Sequence, residues 1–143
     1  MLAMTQDSRA GGVDIREIQT AEIEDARRLL CENGWGHRLA NPDLFRQLVS
    51  KSQRAFVAVQ DSRVVGFARA ICDDHSNGYL SMVVVDAACR RQGIGRALVH
   101  AVMGNNPHIT WVLRAGRPEA LPFFEQLGFV PSKVAMERNR ASS

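Results

Sequence analysis

Between Tyr79 and Leu98 an apolar run, a basic turn carrying two glycines and an amphipathic segment follow one another without interruption: Tyr79-Leu80-Ser81-Met82-Val83-Val84-Val85-Asp86-Ala87-Ala88-Cys89-Arg90-Arg91-Gln92-Gly93-Ile94-Gly95-Arg96-Ala97-Leu98. The apolar run suits a buried strand, and after Gly93 the residues Ile94, Ala97, Leu98, Ala101 and Val102 recur at helical spacing. The glycines therefore fall at a helix N-terminus, where the first backbone N–H groups have no intrahelical partner. Such an end attracts anions. Glycine lets a bulky anion approach the backbone, while Arg90, Arg91 and Arg96 add full charges to the partial charge of the helix dipole. The plain alternative is an ordinary strand-to-helix turn with solvated arginines. Against it, two glycines within a helix opening cost about 1 kcal/mol each relative to alanine, which favours a reason for their presence.

Other phosphate motifs fit this stretch poorly. A P-loop needs a Gly-Lys pair, which the chain lacks. A dinucleotide fingerprint needs a third glycine where Leu98 stands, and an acidic residue further on, where the chain has Ile109 to Arg114.

At 143 residues, 45% of them hydrophobic, the chain suits one domain with a normal core. Its apolar runs are too short to span a bilayer and Met1 to Gly12 carries no hydrophobic signal core, so a cytoplasmic protein with no membrane partner is expected. Cys31, Cys72 and Cys89 show neither Cys-x-x-Cys nor zinc-finger spacing, so neither a disulfide framework nor a metal is expected. Cys89 has basic neighbours but no adjacent base to make it a nucleophile. The formal charge of +3 is modest and forms no aromatic-interleaved stripe, which argues against nucleic acid. The arginines clustered between Ala87 and Met103, with no acid among them, suit one compact polyanion better.

Val13 to Ile18 alternates as a half-buried strand does, after a tail over residues 1–12 expected to be flexible, as is 139–143. Thr20 is expected to cap a helix that Asn33-Gly34 ends, and Asn41-Pro42 to open a second one burying Leu44, Phe45, Leu48 and Val49. Ala55 to Val59 and Val64 to Ile71 form a hairpin joined at Asp61-Ser62-Arg63. Tyr79 to Val85 follows as a strand, then the helix from Gly93, a strand near His108 to Arg114, a helix from Pro118 to Leu127 and a last strand near Lys133 to Glu137. The expected architecture is α/β: one domain over 13–138, a mixed sheet in the order β-α-α-β-β-β-α-β-α-β, with helices on both faces.

The spacing Arg90-x-x-Gly93-x-Gly95, after a strand and opening a helix, resembles the Gln/Arg-x-x-Gly-x-Gly/Ala signature of the GCN5-related N-acetyltransferase (GNAT) superfamily. Phe123-Phe124-Glu125-Gln126-Leu127-Gly128-Phe129 is similar to that family's Phe-Tyr-Glu-x-Leu-Gly-Phe pattern, in the right order and separation. The resemblance spans about Val13 to Arg138 and implies acetyl-CoA as cosubstrate, held by Val83, Val84, Val85, Arg90, Arg91, Gln92, Gly93, Ile94, Gly95 and Arg96. In that arrangement the strand offers backbone groups to the pantetheine amides, the arginine-glycine turn surrounds the pyrophosphate, and N–H groups around Met82 and Val83 polarise the acetyl carbonyl.

Two departures accompany the likeness. Phe124 stands where the family's tyrosine commonly protonates the departing thiolate, and phenylalanine cannot; it is expected to pack beside the coenzyme tail instead. Arg117 stands where many relatives carry a cofactor-touching asparagine, and either reaches a phosphate or is merely solvated. The strand also lacks the glutamate that some members use as base. Asp73, Asp74, His75 and His37 are loop candidates for that role, though each also suits a solvated turn, and Trp35 and Tyr79 divide between acceptor wall and ordinary packing. Catalytic residues stay unassigned. The expected function is direct transfer of an acetyl group to a primary amine, of a small molecule or an exposed protein amine; the alternative is a non-catalytic acyl-CoA-binding or regulatory module. A homodimer is left open.

Overall fold

A computed structural model describes residues 9, 10 and 12–141. The expected tails therefore lie largely outside the described residues; within them, Arg9–Ala10 (β1) pairs antiparallel with Val13–Glu17 (β2). The chain forms two compact units divided between Leu113 and Arg114.

The first unit holds a six-stranded sheet in sequential order, completed by Arg54–Gln60 (β3), Arg63–Cys72 (β4), Asn77–Val85 (β5) and Thr110–Val112 (β6). Neighbours pair antiparallel except β5 with β6, which are parallel. The β3–β4 hairpin closes through Asp61 and Ser62, both left-handed, the conformation whose twist matches the flanking strands. Ile23–Leu30 (α1), Gly36–Leu39 (α2) and Pro42–Lys51 (α3) precede β3, and Ile94–Met103 (α4) lies between β5 and β6.

Two side-chain layers cover the sheet. Ala26, Leu29, Leu30, Leu39 and Phe45 of the first three helices pack with Val57, Phe67, Met82 and Val84 in one core cluster, where Phe45 meets Phe67 edge-on with ring centroids 5.5 Å apart. On the other face Leu98 of α4 presses against Gly66, which pairs with Ala58 and Val85. Helices thus stand on both faces, as the alternation of apolar positions implies.

Several local expectations need correction. The first helical turn is a 3₁₀ turn capped at Gln19 rather than Thr20, because the Gln19 N–H donates to Glu22 Oε1 (2.9 Å) and Arg16 grips the same carboxylate (2.9 and 2.6 Å). Asn33-Gly34 does not stop the helix for good. Helical backbone is lost at Asn33 and at Gly34 (φ +106°) within a π-type turn and resumes at Gly36. Asn41 caps α3 as expected, accepting from the Asp43 N–H, but Leu44 is exposed because only one stripe of this helix meets the core.

In the second unit the predicted helix from Pro118 spans Ala120–Gln126 (α5). The last strand expected near Lys133 to Glu137 is absent among the described residues: those residues are exposed, and Val134 and Met136 find no apolar partner face to make alternation pay. The Phe-Phe-Glu-Gln-Leu-Gly-Phe motif is a Schellman helix stop. The Phe129 N–H donates to the Phe124 carbonyl (3.1 Å), the Gly128 N–H to Glu125 (3.1 Å), and the rings of Phe124 and Phe129 pack edge-on.

Candidate functional site

The strand β5 is irregular at its middle. Ser81 pairs with Arg69 and Val84 with Phe67, so Met82 and Val83 together oppose Ala68, and Met82 is left-handed at φ +57°. A bulge of this kind unpairs one residue and turns the side chains after it over to the other face. Leu80, opposite Ala70, belongs to the α4 side, whereas Met82 and Val84 belong to the α1 side. A buried, non-glycine residue in this conformation costs about 1–3 kcal/mol and marks a place where backbone N–H groups are re-aimed.

The other edge of the same strand is open along its second half. β6 pairs with β5 only through Asn77↔Thr110, Gly78↔Trp111 and Tyr79↔Val112, while β5 continues to Val85. From Leu80 onward the outward backbone groups of β5 pair with no strand among the described residues on that side. They can accept an extended ligand as an added strand. Among the expected site residues, Val84 is buried in the core cluster, whereas Val83 and Val85 are half-buried.

At the end of β5 the Asp86 carboxylate caps a 3₁₀ turn over Ala87–Cys89, receiving the Ala88 N–H (3.0 Å). The chain then passes through two left-handed residues, Arg91 (φ +65°) and Gly93 (φ +81°), before α4 begins. Gly93 is the N-cap, and the first helical bond falls from the Ala97 N–H to its carbonyl (3.0 Å), so the N–H groups of Ile94, Gly95 and Arg96 point out of the helix end. A Cβ on Gly93 would meet nothing within 4 Å: the space in front of this end is open. Ile94 turns its side chain into the core and contributes backbone alone. Arg91, Gln92 and Arg96 are exposed, and neither arginine forms an ion pair among the described residues. The turn thus gathers outward N–H groups and arginine charge at one helix end, an arrangement that favours anions.

Arg90 differs from its neighbours. Its Nε donates to the Val85 carbonyl (3.1 Å) and its Nη2 to Asn33 Oδ1 (2.9 Å), while Asn33 Nδ2 donates to Leu29 (2.8 Å). The guanidinium thereby ties the basic turn to the kink after α1. Nothing in the local sequence signals this, because the partners are 57 residues apart.

The loop candidates for a base separate cleanly. The Asp73 carboxylate receives the N–H groups of His75, Ser76 and Asn77 (2.9, 2.8 and 3.0 Å), which hold it down at a pKa of about 2. It is a turn-holding anion. Asp74 pairs with Arg54 (2.6 Å), which also holds the last carbonyls of α4. His75 and His37 are exposed in their loops. Trp35 packs against the core cluster, and Tyr79 is half-buried opposite Ile71.

Arg69 was missed by sequence reasoning. It is 7% exposed, on the α1 side of the sheet, and its Nη1 donates to Ser52 Oγ (3.0 Å) while its buried Nε has no partner. Burial, then the positive charge of Arg38, push its pKa down against a weaker opposite effect of Tyr79. An arginine inside an otherwise apolar strand was the available signal.

In the second unit, Phe124 is buried with its ring edge-on to Phe123 and Phe129 (centroids 4.9 and 5.7 Å), and Arg117 is half-buried at the turn before α5, its carbonyl accepting from the Ala120 N–H. Among the described residues no group of three or more His, Cys, Asp or Glu side chains could hold a metal ion, and no helix is long and apolar enough to cross a membrane.

A bulged central strand that parts from its parallel neighbour and leads through a basic glycine turn into a helix defines an α/β fold of the acetyltransferase type. The family model for the acetyltransferase (GNAT) domain matches residues 17–142, and the chain belongs to that family. It is 25% identical over 123 residues to the peptidyl-lysine N-acetyltransferase YiaC of Escherichia coli K12, covering 80% of this chain and 82% of that one. Among solved structures it resembles a GNAT-family protein from Xanthomonas campestris pv. campestris (TM-score 0.78, 24% identity, 92% and 96% of the two chains) and one from Streptococcus pneumoniae TIGR4 (0.70, 22%, 89% and 99%).

Proposed function

We propose that this acetyltransferase moves an acetyl group from acetyl-CoA directly to a primary amine, on a small molecule or exposed on a protein. The observation that carries the reading is the open edge of β5 from Leu80 to Val85, running from the Met82 bulge to the basic turn at Gly93. An acetyl-pantetheine chain would lie along that edge as an added strand, with its pyrophosphate at the N–H groups of Ile94, Gly95 and Arg96. The residues proposed to hold it are Val83, Val84, Val85, Arg91, Gln92, Gly93, Ile94, Gly95 and Arg96, with Arg90 bracing the turn. The E. coli relative named as a peptidyl-lysine N-acetyltransferase supports an amine acceptor.

In the reaction the neutral amine nitrogen attacks the acetyl carbon, the carbonyl oxygen takes up negative charge beside the N–H groups near Met82 and Val83, and the carbon–sulfur bond then breaks. The nitrogen loses a proton and the thiolate gains one. With Phe124 at the tyrosine position, water serves as that donor, which a leaving thiol of pKa near 8.5 tolerates. Positioning and backbone polarisation supply most of the rate.

Isothermal titration with acetyl-CoA, followed by free-thiol release over an amine panel, tests the reading. Saturable binding and acetylated product are expected; absence of coenzyme binding overturns it. The ring in place of the phenol at Phe124 favours a second reading, a non-catalytic acyl-CoA-binding or regulatory module. Tight binding with no product across the panel selects that one.

A further inference from the structure

We infer that Arg69 is the floor of an anion subsite that takes a carboxylate carried by the acceptor amine itself. This rests on the acetyl-transfer reading above and narrows its acceptor class. Arg69 lies on β4 directly opposite Ser81, the residue before the Met82 bulge, so its strand position adjoins the proposed transfer point. Ile71 and Tyr79 form the next pair on the same face. Buried cations in proteins are paired with an acid or bonded to saturation, because an uncompensated charge out of water is costly. Arg69 meets neither condition. Its Nε is the one buried side-chain nitrogen or oxygen without a partner among the described residues, and its only hydrogen bond goes to a neutral hydroxyl, Ser52 Oγ. Among the described residues the charged and titratable groups acting on it are Arg38, which repels it, and Tyr79, with no carboxylate. No described residue supplies the missing negative charge, and an anion brought by the acceptor would. The neighbours Ser52, Arg38, Tyr79 and Ser81 are half-buried rather than sealed, which leaves an edge for a small anion to enter.

The test compares thiol release for ω-amino acids from glycine to 6-aminohexanoate with release for the matching primary amides, at saturating acetyl-CoA. One chain length is expected to exceed its amide by about 10- to 100-fold in kcat/KM, the size of a charge-assisted hydrogen bond, with the difference in KM. Arg69→Met, which removes a buried charge at similar volume, should abolish that preference, acids and amides then reacting with equal kcat/KM, with the melting temperature unchanged or higher. Arg69→Lys should restore part of it. Equal kcat/KM for acids and amides throughout overturns the subsite, as does a preference that survives Arg69→Met. A second arm does not depend on turnover. In ¹⁵N-arginine-labelled protein, with and without saturating coenzyme A, the Nε–H resonance lost in Arg69→Met should shift saturably with each preferred ω-amino acid and not with its amide. No shift, or an equal shift with chloride, overturns the acceptor subsite even where acetyl transfer succeeds. A selective shift without any turnover upholds the subsite and instead defeats the transfer reaction.

Discussion

The indole of Trp111 lies over the backbone of Gly78: a Cβ on Gly78 would fall 2.5, 2.6 and 2.8 Å from three of its ring carbons. These two residues are register partners in the short parallel pairing of β5 with β6, and Arg54 stacks its guanidinium 5.7 Å from the same ring. The contact fixes where the strands hold together, and hence where β5 becomes open.

Gly78→Ala is therefore expected to lose about 1–3 kcal/mol of stability by overpacking and to change indole emission. Adding Trp111→Leu should relieve part of the loss, giving a non-additive double-mutant cycle in thermal or urea unfolding. Additive losses would show that the ring has room to move away.

Gly93 separates folding from binding. Its φ of +81° costs a side-chain-bearing residue about 1–2 kcal/mol, yet a Cβ there meets no protein atom within 4 Å. Gly93→Ala should melt a few degrees lower and still fold, while acetyl-CoA affinity in titration calorimetry drops by about 10-fold or more. Unchanged affinity would place the pyrophosphate elsewhere.

Asp73 predicts an acid limb in stability. The three backbone N–H donors lower its folded-state pKa from 3.8 to about 2. The carboxylate's contribution is therefore complete above about 4 and is lost as pH falls towards 2. Carboxyl NMR should give a midpoint near 2, and Asp73→Ala should flatten stability over that interval and speed amide exchange at residues 75–77. A midpoint near 4 would mean that the turn opens in solution.

Gly128 ends α5 at φ +94° in the Schellman turn. Gly128→Ala should cost about 1 kcal/mol through its left-handed backbone, and Gly128→Asn less, measured as shifts in melting temperature. Equal losses for both would point to a role beyond the helix stop.

The legible part of this protein was local. Helix periodicity, the Asn41-Pro42 cap and the turn Asp61-Ser62 could be read directly because each acts over a few residues. The expected last strand failed because alternation at Val134 and Met136 promises a strand only if some face exists to bury them. Asp73 looked like a candidate base until its three N–H donors appeared, and a turn of that form is visible only once the backbone closes on itself.

The amino-acid sequence by itself determined the family, the succession of the larger elements from β2 to α5 and the basic glycine turn, since a glycine at Gly93 and the arginines around it state their needs locally. The tertiary structure alone decided two things: the bulge at Met82 and the burial of Arg69 without an acid among the described residues. Each depends on register between strands or on what packs against a side chain. Such pairings bring together residues far apart in the chain, and no local pattern of residues encodes them.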